Sequence, residues 1–416
     1  MKRNCGSIAL FLVLFVFSVI ISSCEDSGTE SLSTRINISG KISASLNFPV
    51  SNVIVKVEDK VTTTSADGEF SLSDVTTPYD LKIIDTSRKA GYIYKGLSRT
   101  DLDISLYYIP QNNSAANINL TYPASLSNFD GKAIFTDGNQ KSYYGNLPFI
   151  SVVMGNNTTI TGKVILIFFT RDNDSNIISY DRYGEKDNIT ISAGGTTNVD
   201  FTLNDLQLNP GEVTVSGNIS GQQGLSTSKF YCLSFGKRYT SGYISNLSFS
   251  QIQDDTFNLV LPTNLPSDFT PLIFLYAQGT YPNSQISEQF ILPKGGTGIN
   301  LSLHNWPSLI NPTDNATNID ASTLFEWASG SGNGIYGITI TNPANTVTYT
   351  IYTNLTSITL ADINSFGLGN INNKVFSWSC EKYGSVSSLN EYLDPERNNI
   401  GYYRATTSTR TFSTKP

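Results

Sequence analysis

The chain of 416 residues has room for about two to four domains with buried cores. Only 15 % of the residues are charged, against roughly 25 % in an average soluble protein, and Tyr and Phe number 22 each, so neither disorder nor a coiled coil fits. One histidine, four cysteines and two methionines argue against His-dependent triads, His-ligated zinc, Cys-rich metal knuckles and a disulfide-dense scaffold, and no cofactor or metal is expected.

At the N-terminus Lys2 and Arg3 precede an apolar run over 8–21 that only Ser18 interrupts. Its 14 residues are fewer than the about 20 that a bilayer-spanning helix needs, so 1–23 reads as an export signal. The next residues, Ile21-Ser22-Ser23-Cys24, resemble the lipobox of bacterial lipoproteins. That resemblance implies cleavage before Cys24 and a lipid on its thiol; an ordinary secretory signal with an incidental cysteine is the other reading. Glu25-Asp26 resembles the surface-export signal of Bacteroidota lipoproteins, which implies an outer-membrane protein anchored by lipid and facing the cell surface. Losing Lys2 and Arg3 lowers the 27 basic residues to 25 against 34 acidic ones, a net charge of −9, and no basic run remains to neutralise phosphates, so nucleic acid is not a partner. The stretch 24–35 is Ser/Thr/Glu-rich and aperiodic, as a flexible tether would be.

Beyond the tether the chain repeats itself. Thr100-Asp101-Leu102-Asp103-Ile104-Ser105-Leu106 recurs as Thr197-Asn198-Val199-Asp200-Phe201-Thr202-Leu203 and as Thr297-Gly298-Ile299-Asn300-Leu301-Ser302-Leu303, at spacings of 97 and 100 residues. Apolar residues at every second position give each copy the period of a strand with one wet face. Two openings also match, Ile36-Asn37-Ile38-Ser39-Gly40-Lys41-Ile42 with Val213-Thr214-Val215-Ser216-Gly217-Asn218-Ile219, while the middle copy starts less clearly at Ile118-Asn119-Leu120-Thr121. The parse is 36–108, 117–204 and 212–303, followed by 305–416. Turn signals such as Asp67-Gly68 and Gly194-Gly195 punctuate strand-length runs, and no helical period lasts three turns. The expected fold is all-β, a tandem of Ig-like or Greek-key β-sandwich modules in a row.

In the first module Gly40-Lys41-Ile42, Val53-Ile54-Val55-Lys56-Val57, Thr62-Thr63-Thr64, Asp67-Gly68-Glu69-Phe70-Ser71-Leu72 and Tyr79-Asp80-Leu81 resemble the carboxypeptidase regulatory-like domain. The resemblance covers about 36–106 and implies a small transthyretin-like sandwich serving as a stalk or spacer, with no catalytic residue to carry over. In the last module Leu324-Phe325-Glu326-Trp327, Tyr336-Gly337-Ile338, Phe376-Ser377-Trp378-Ser379-Cys380 and Arg410-Thr411-Phe412 resemble a fibronectin type III domain. The paired spacing places Phe325 with Trp327, and Phe376 with Trp378 and Cys380, toward the interior between two sheets. A long segment over 384–399 departs from that family and is expected to project from one end. It carries Tyr392, Asp394, Glu396 and Arg397, which read either as an interaction loop or as a tolerated insertion.

No residue set asks for catalysis. His304, in the junction Leu303-His304-Asn305-Trp306-Pro307, would need a nucleophile and an orienting carboxylate from two domains. Cys232 and Cys380, each beside aromatics on a strand, read as buried thiols or as a bridge between modules. Asp172-Asn173-Asp174-Ser175-Asn176 begins like a calcium loop but lacks the Gly and Glu of that motif, and a hairpin tip explains it as well. Tyr143-Tyr144 and Tyr402-Tyr403 should each turn one ring outward, and Tyr180, Tyr183, Tyr239, Tyr243 and Tyr281 lie near turns, where rings are available to sugars. The expected function is a non-catalytic, lipid-anchored cell-envelope protein, structural or adhesion-type, bound to the membrane through its lipid and to a protein or glycan partner. The alternative is a glycan-binding lipoprotein of a polysaccharide-uptake system.

Overall fold

The computed structural model describes residues 34–416 except 45–47, 107–113, 138–141, 156, 175, 210, 222–224, 239–243, 247–249, 253–254, 264–268, 280–284, 345, 365, 369–370 and 396–402. Residues 1–33, which hold the expected export signal, Cys24 and most of the expected tether, lie outside the described residues, as do Glu396, Arg397 and Tyr402. What is described is all-β: strands arranged in several open sheets, with helix limited to short turns such as Ala361–Asn364 and Leu389–Tyr392. The ranges 36–108, 114–208, 212–303 and 305–416 are called segments 1 to 4.

The repeat has a structural cause. In strand Asp101–Leu106 exposed and buried residues alternate, with Leu102, Ile104 and Leu106 inside and Asp101 and Asp103 in water. This strand pairs in parallel with the opening strand of its own segment, placing Lys41 opposite Asp103 and Ile42 opposite Ile104. Segment 2 closes the same way, with Thr196–Asp200 parallel to Ser114–Thr121; Thr121 faces Asp200 and its hydroxyl donates to that carboxylate. In segment 3 Asn218 faces Asn300 and donates its amide N–H to the partner carboxamide at 3.3 Å. The polar positions of the motif are therefore cross-strand partners on the wet face, and its apolar positions point together into a core. A Cβ on Gly217 would sit 1.8 Å from the Ile299 carbonyl oxygen, so this parallel contact requires glycine. Segment 4, which lacks the motif, also closes with a parallel pair, Ala316 opposite Phe412.

In place of a simple row, the segments share sheets and cores. One 15-stranded sheet runs from segment 3 through segment 4 into segment 1. Two junctions make it continuous. Tyr403–Thr406 pairs antiparallel on one side with Gln285–Ile291 of segment 3 and on the other with Val375–Gly384 of segment 4. Val347–Thr353 of segment 4 pairs in parallel with Ala90–Leu97 of segment 1, Thr348 opposite Ala90 through Tyr352 opposite Tyr94. In the paired stretch every position of 90–94 and 348–352 is buried except the half-buried Tyr92 and Thr348, as an inner strand covered on both faces requires.

The cores follow the sheets. Phe325, Trp327, Phe376, Trp378 and Cys380 face one interior, as their spacing predicts, and Ile93 of segment 1 joins that core. Ile335, Tyr352, Tyr383, Leu389 and Leu393 of segment 4 lie in the core of segment 1. In segment 2 six consecutive residues of strand Thr159–Arg171, Val164 to Phe169, are 1 % exposed or less. Val164, Leu166 and Phe168 fill that segment's own core, while Ile165, Ile167 and Phe169 enter a core with Val215, Phe257 and Leu259 of segment 3. Segment 2 also meets segment 1 at Gly155, where a Cβ would come within 1.6 Å of the Phe48 ring. Each segment thus touches two others and the cycle 1–2–3–4–1 closes, so that Ile36–Pro416 forms one compact unit.

Candidate functional site

Of the residues singled out in the sequence, Tyr392, Asp394, His304 and Tyr403 lie at the two junctions of segment 4. The departure after Cys380 begins as the end of strand Val375–Gly384, and Ser388 then caps the short helix Leu389–Tyr392 by accepting from Glu391 N–H. Rather than projecting, residues 386–394 lie on segment 1. Leu389 and Leu393 are buried there, and the Leu393 carbonyl accepts from Asp103 N–H at 3.1 Å, which covers the closing strand. Asn390 accepts from the backbone N–H groups of Ser98 and Arg99 at 2.9 and 3.2 Å and donates to the Ser98 hydroxyl at 3.0 Å. Asp394 pairs with Arg99 at 3.0 Å. The Tyr392 ring packs on Tyr352 and Tyr383, with centroids 5.9 and 5.5 Å apart, and Tyr352 stacks on Tyr94 of segment 1 at 4.6 Å. Tyr392 and Asp394 thus sit in a contact within the chain. Lys95 and Asp362, 2.7 Å apart, add an ion pair across the same junction.

The second junction holds the histidine. Glu288 stands opposite Tyr403 in the shared sheet and is buried, and both of its oxygens are taken by His304: Nδ1 lies 2.5 Å from Oε1, and the backbone N–H donates to Oε2 at 3.0 Å. Burial pushes the Glu288 carboxyl above the ordinary carboxylate range, opposed by its contacts with His304. The imidazole stacks on the Tyr403 ring at 4.3 Å, and the Tyr403 hydroxyl donates toward the carbonyls of Ser331 and Asn333. Beside it the Lys382 ammonium, buried, donates to the carbonyls of Ser329, Ser331 and Gly332 at 2.9, 2.9 and 2.6 Å. The orienting carboxylate therefore comes from segment 3 itself, and the hydroxyl beside the imidazole, that of Tyr403, is engaged with the Ser331 and Asn333 carbonyls. Its geometry fastens a Gly-rich loop to the sheet junction.

Elsewhere the sequence candidates resolve into structure. Asp172 caps its own hairpin tip, accepting from Asp174 and Asn176 N–H at 3.0 and 2.8 Å, and these bonds hold its carboxyl below the usual range, with the Asn176 backbone bond the largest contribution. Cys380 is a free thiol pushed up by burial, and Cys232 lies on strand Leu225–Arg238 opposite Phe274. Among the described residues no three His, Cys, Asp or Glu side chains come together as a metal site. Tyr180 and Tyr183 are buried although they lie near turns; Tyr143 and Tyr403, one ring of each adjacent pair, are buried too, while the Tyr144 side chain and Tyr402, Tyr239, Tyr243 and Tyr281 lie outside what the structure describes. An open groove of about 940 Å³ runs along the wet face of segment 1, lined by Ser39, Lys41, Glu69, Asp101, Asp103 and Pro395 among others.

Two features escaped the sequence reading: the docking of Leu389 and Leu393 on segment 1, and the carboxylate partner of His304. The first left a signal in the cap Ser388 followed by apolar residues four apart. The second left none, since Glu288 is one alternating residue of an ordinary strand.

No protein-family model matches the chain, and no curated protein matches it. Among solved structures, a leucine-rich repeat protein from Bacteroides thetaiotaomicron VPI-5482 aligns at 11 % identity over 46 % of this chain and 26 % of its own, with a TM-score of 0.15. The TIE protein of Bacillus anthracis aligns at 9 % identity over 65 % of this chain and 50 % of its own, TM-score 0.16. A streptococcal ancillary pilin aligns at 10 % identity over 64 % of this chain and 98 % of its own, TM-score 0.14. The chain spans about a quarter of the length of the first and half of the second. At these scores the all-β fold stands on the chain's own strands.

Proposed function

We propose that the chain is a non-catalytic, lipid-anchored cell-envelope protein acting as a structural or adhesion-type array. The observation that carries this reading is the continuous sheet through segments 3, 4 and 1. A protein that spends its histidine, a buried lysine and its interior tyrosines on fastening modules to one another is built to hold a surface rigid. The lipobox-like Ile21-Ser22-Ser23-Cys24 supplies the anchor in this reading, and Glu25-Asp26 the export to the outer face. The carboxypeptidase regulatory-like and fibronectin type III-like resemblances of segments 1 and 4 agree with spacer modules. The glycan-uptake alternative draws on outward tyrosines; Tyr180 and Tyr183, which lie near turns, are buried, and the second ring of each adjacent pair, Tyr144 and Tyr402, lies outside the residues whose side chains are described.

The test is fractionation of cells carrying the full chain or its Cys24→Ala variant, combined with protease added outside intact cells. The full chain is expected in the outer-membrane fraction and digested from outside, and the variant in the soluble fraction. A variant that stays membrane-bound overturns the lipid anchor, and a full chain shielded from protease overturns the surface location. For the adhesion role, a strain lacking the protein is expected to attach to its surface or partner cells less well; undiminished attachment overturns that part.

A further inference from the structure

Phe149 is 57 % exposed, and among the residues whose side chains are described it is the only exposed Phe, Tyr or Trp. Its position is specific. On the wet face of the three-stranded sheet of segment 2, Phe149, Asn119 and Asn198 stand side by side on adjacent strands, and the next row holds Ser151, Asn117 and Thr196. All six are exposed. Asn119 donates its amide N–H to Asn198 at 3.3 Å, which ties the two carboxamides to each other across adjacent strands. Strands about 4.8 Å apart put Phe149 and Asn198 roughly 10 Å apart, a length comparable to a disaccharide.

From this arrangement we infer that the Phe149 row is a binding platform for a neutral polysaccharide. The ring presents an apolar face for the C–H face of a pyranose. Carboxamides and hydroxyls beside it, with both donors and acceptors, match sugar hydroxyls. The charge balance selects the ligand class. The six positions carry no Lys, Arg, Asp or Glu, and Asp200, two residues beyond Asn198 on the same strand, already accepts from Thr121. An anionic polymer finds no counter-charge there, and a protein partner finds one apolar ring where an interface core needs a cluster. The platform does not depend on the anchor or on the shared sheet, so its failure would leave the scaffold reading standing.

The experiment is affinity electrophoresis of the full chain in detergent through gels containing xylan, galactomannan, starch or mixed-linkage β-glucan, with polygalacturonate as the anionic probe. At least one neutral polymer is expected to retard the protein. Phe149→Ala is expected to weaken that retardation about fivefold or more, the equivalent of losing half a buried phenyl ring. Phe149→Trp should restore it, and Asn119→Ala should weaken it. Because Phe149 is exposed, circular dichroism and melting of the Phe149→Ala variant should match the parent. No retardation by any neutral polymer, retardation by polygalacturonate alone, or equal retardation of parent and Phe149→Ala would each overturn the proposal.

Discussion

Leu393→Ala tests whether residues 386–394 fasten segment 4 to segment 1. Leu393 is 2 % exposed and belongs to the core of segment 1, about 290 residues away in sequence from the strand Asp101–Leu106 that its carbonyl caps. Truncating a buried leucine removes its transfer free energy and leaves a cavity, together about 2–5 kcal/mol, and the backbone bond to Asp103 is retained. Taking about 3 kcal/mol, and an unfolding entropy of about 2.1 cal/mol/K per residue over the single unit Ile36–Pro416, which gives about 1.2 °C per kcal/mol, the melting temperature should fall by about 4 °C. The control is Leu355→Ala, because Leu355 is 59 % exposed and its truncation should change stability by no more than about 0.5 kcal/mol. Scanning calorimetry reads both. If Leu393→Ala melts within a degree of Leu355→Ala, the segment projects into solvent and the docking is wrong.

Three further outcomes follow from the junctions. His304→Ala strips a buried carboxylate of its partner and should cost about 3 kcal/mol or more in denaturant titrations, whereas Glu288→Gln, which keeps an acceptor and removes the charge, should cost less. Because the folded pKa of Glu288 is raised, the stability it contributes is full below the ordinary carboxylate pKa and is lost as pH rises through the raised value. Relative to Glu288→Gln, the parent should therefore lose stability as pH climbs from about 4 toward neutrality; a constant difference across that window contradicts the burial argument. Gly217→Ala should destabilise segment 3 by more than about 2 kcal/mol through its clash with Ile299, while Gly211→Ala, whose Cβ meets nothing closer than 3.6 Å, should be near neutral in the same thermal assay.

Strand identity was legible because alternation is a local property. Leu102, Ile104 and Leu106 announce a half-buried strand without reference to anything else in the chain. The partner of that strand was not legible, because parallel closure with Ile42 and Ala44 is set by the whole intervening crossover. The sharing of sheets left a fainter mark. Val164-Ile165-Leu166-Ile167-Phe168-Phe169 does not alternate, and a run apolar on both faces demands cover on both faces, which segment 3 provides. Tyr180 and Tyr183 lie near a turn, which reads as exposure, but the same cover buries them. At the site, the length of 384–399, a departure from the fibronectin type III resemblance, suggests a projecting loop, and its two leucines four residues apart carry the contrary information.

Amide hydrogen exchange at the parallel junction of Ala90–Leu97 with Val347–Thr353 tests the shared sheet most directly, since the two strands would otherwise be open edges of separate modules. With the junction formed, amides on both strands within 90–94 and 348–352 should exchange only with global unfolding of the unit, and should do so together. Exchange of these amides as fast as that of exposed loops, while the cores of segments 1 and 4 stay protected, would show separate modules and contradict the account.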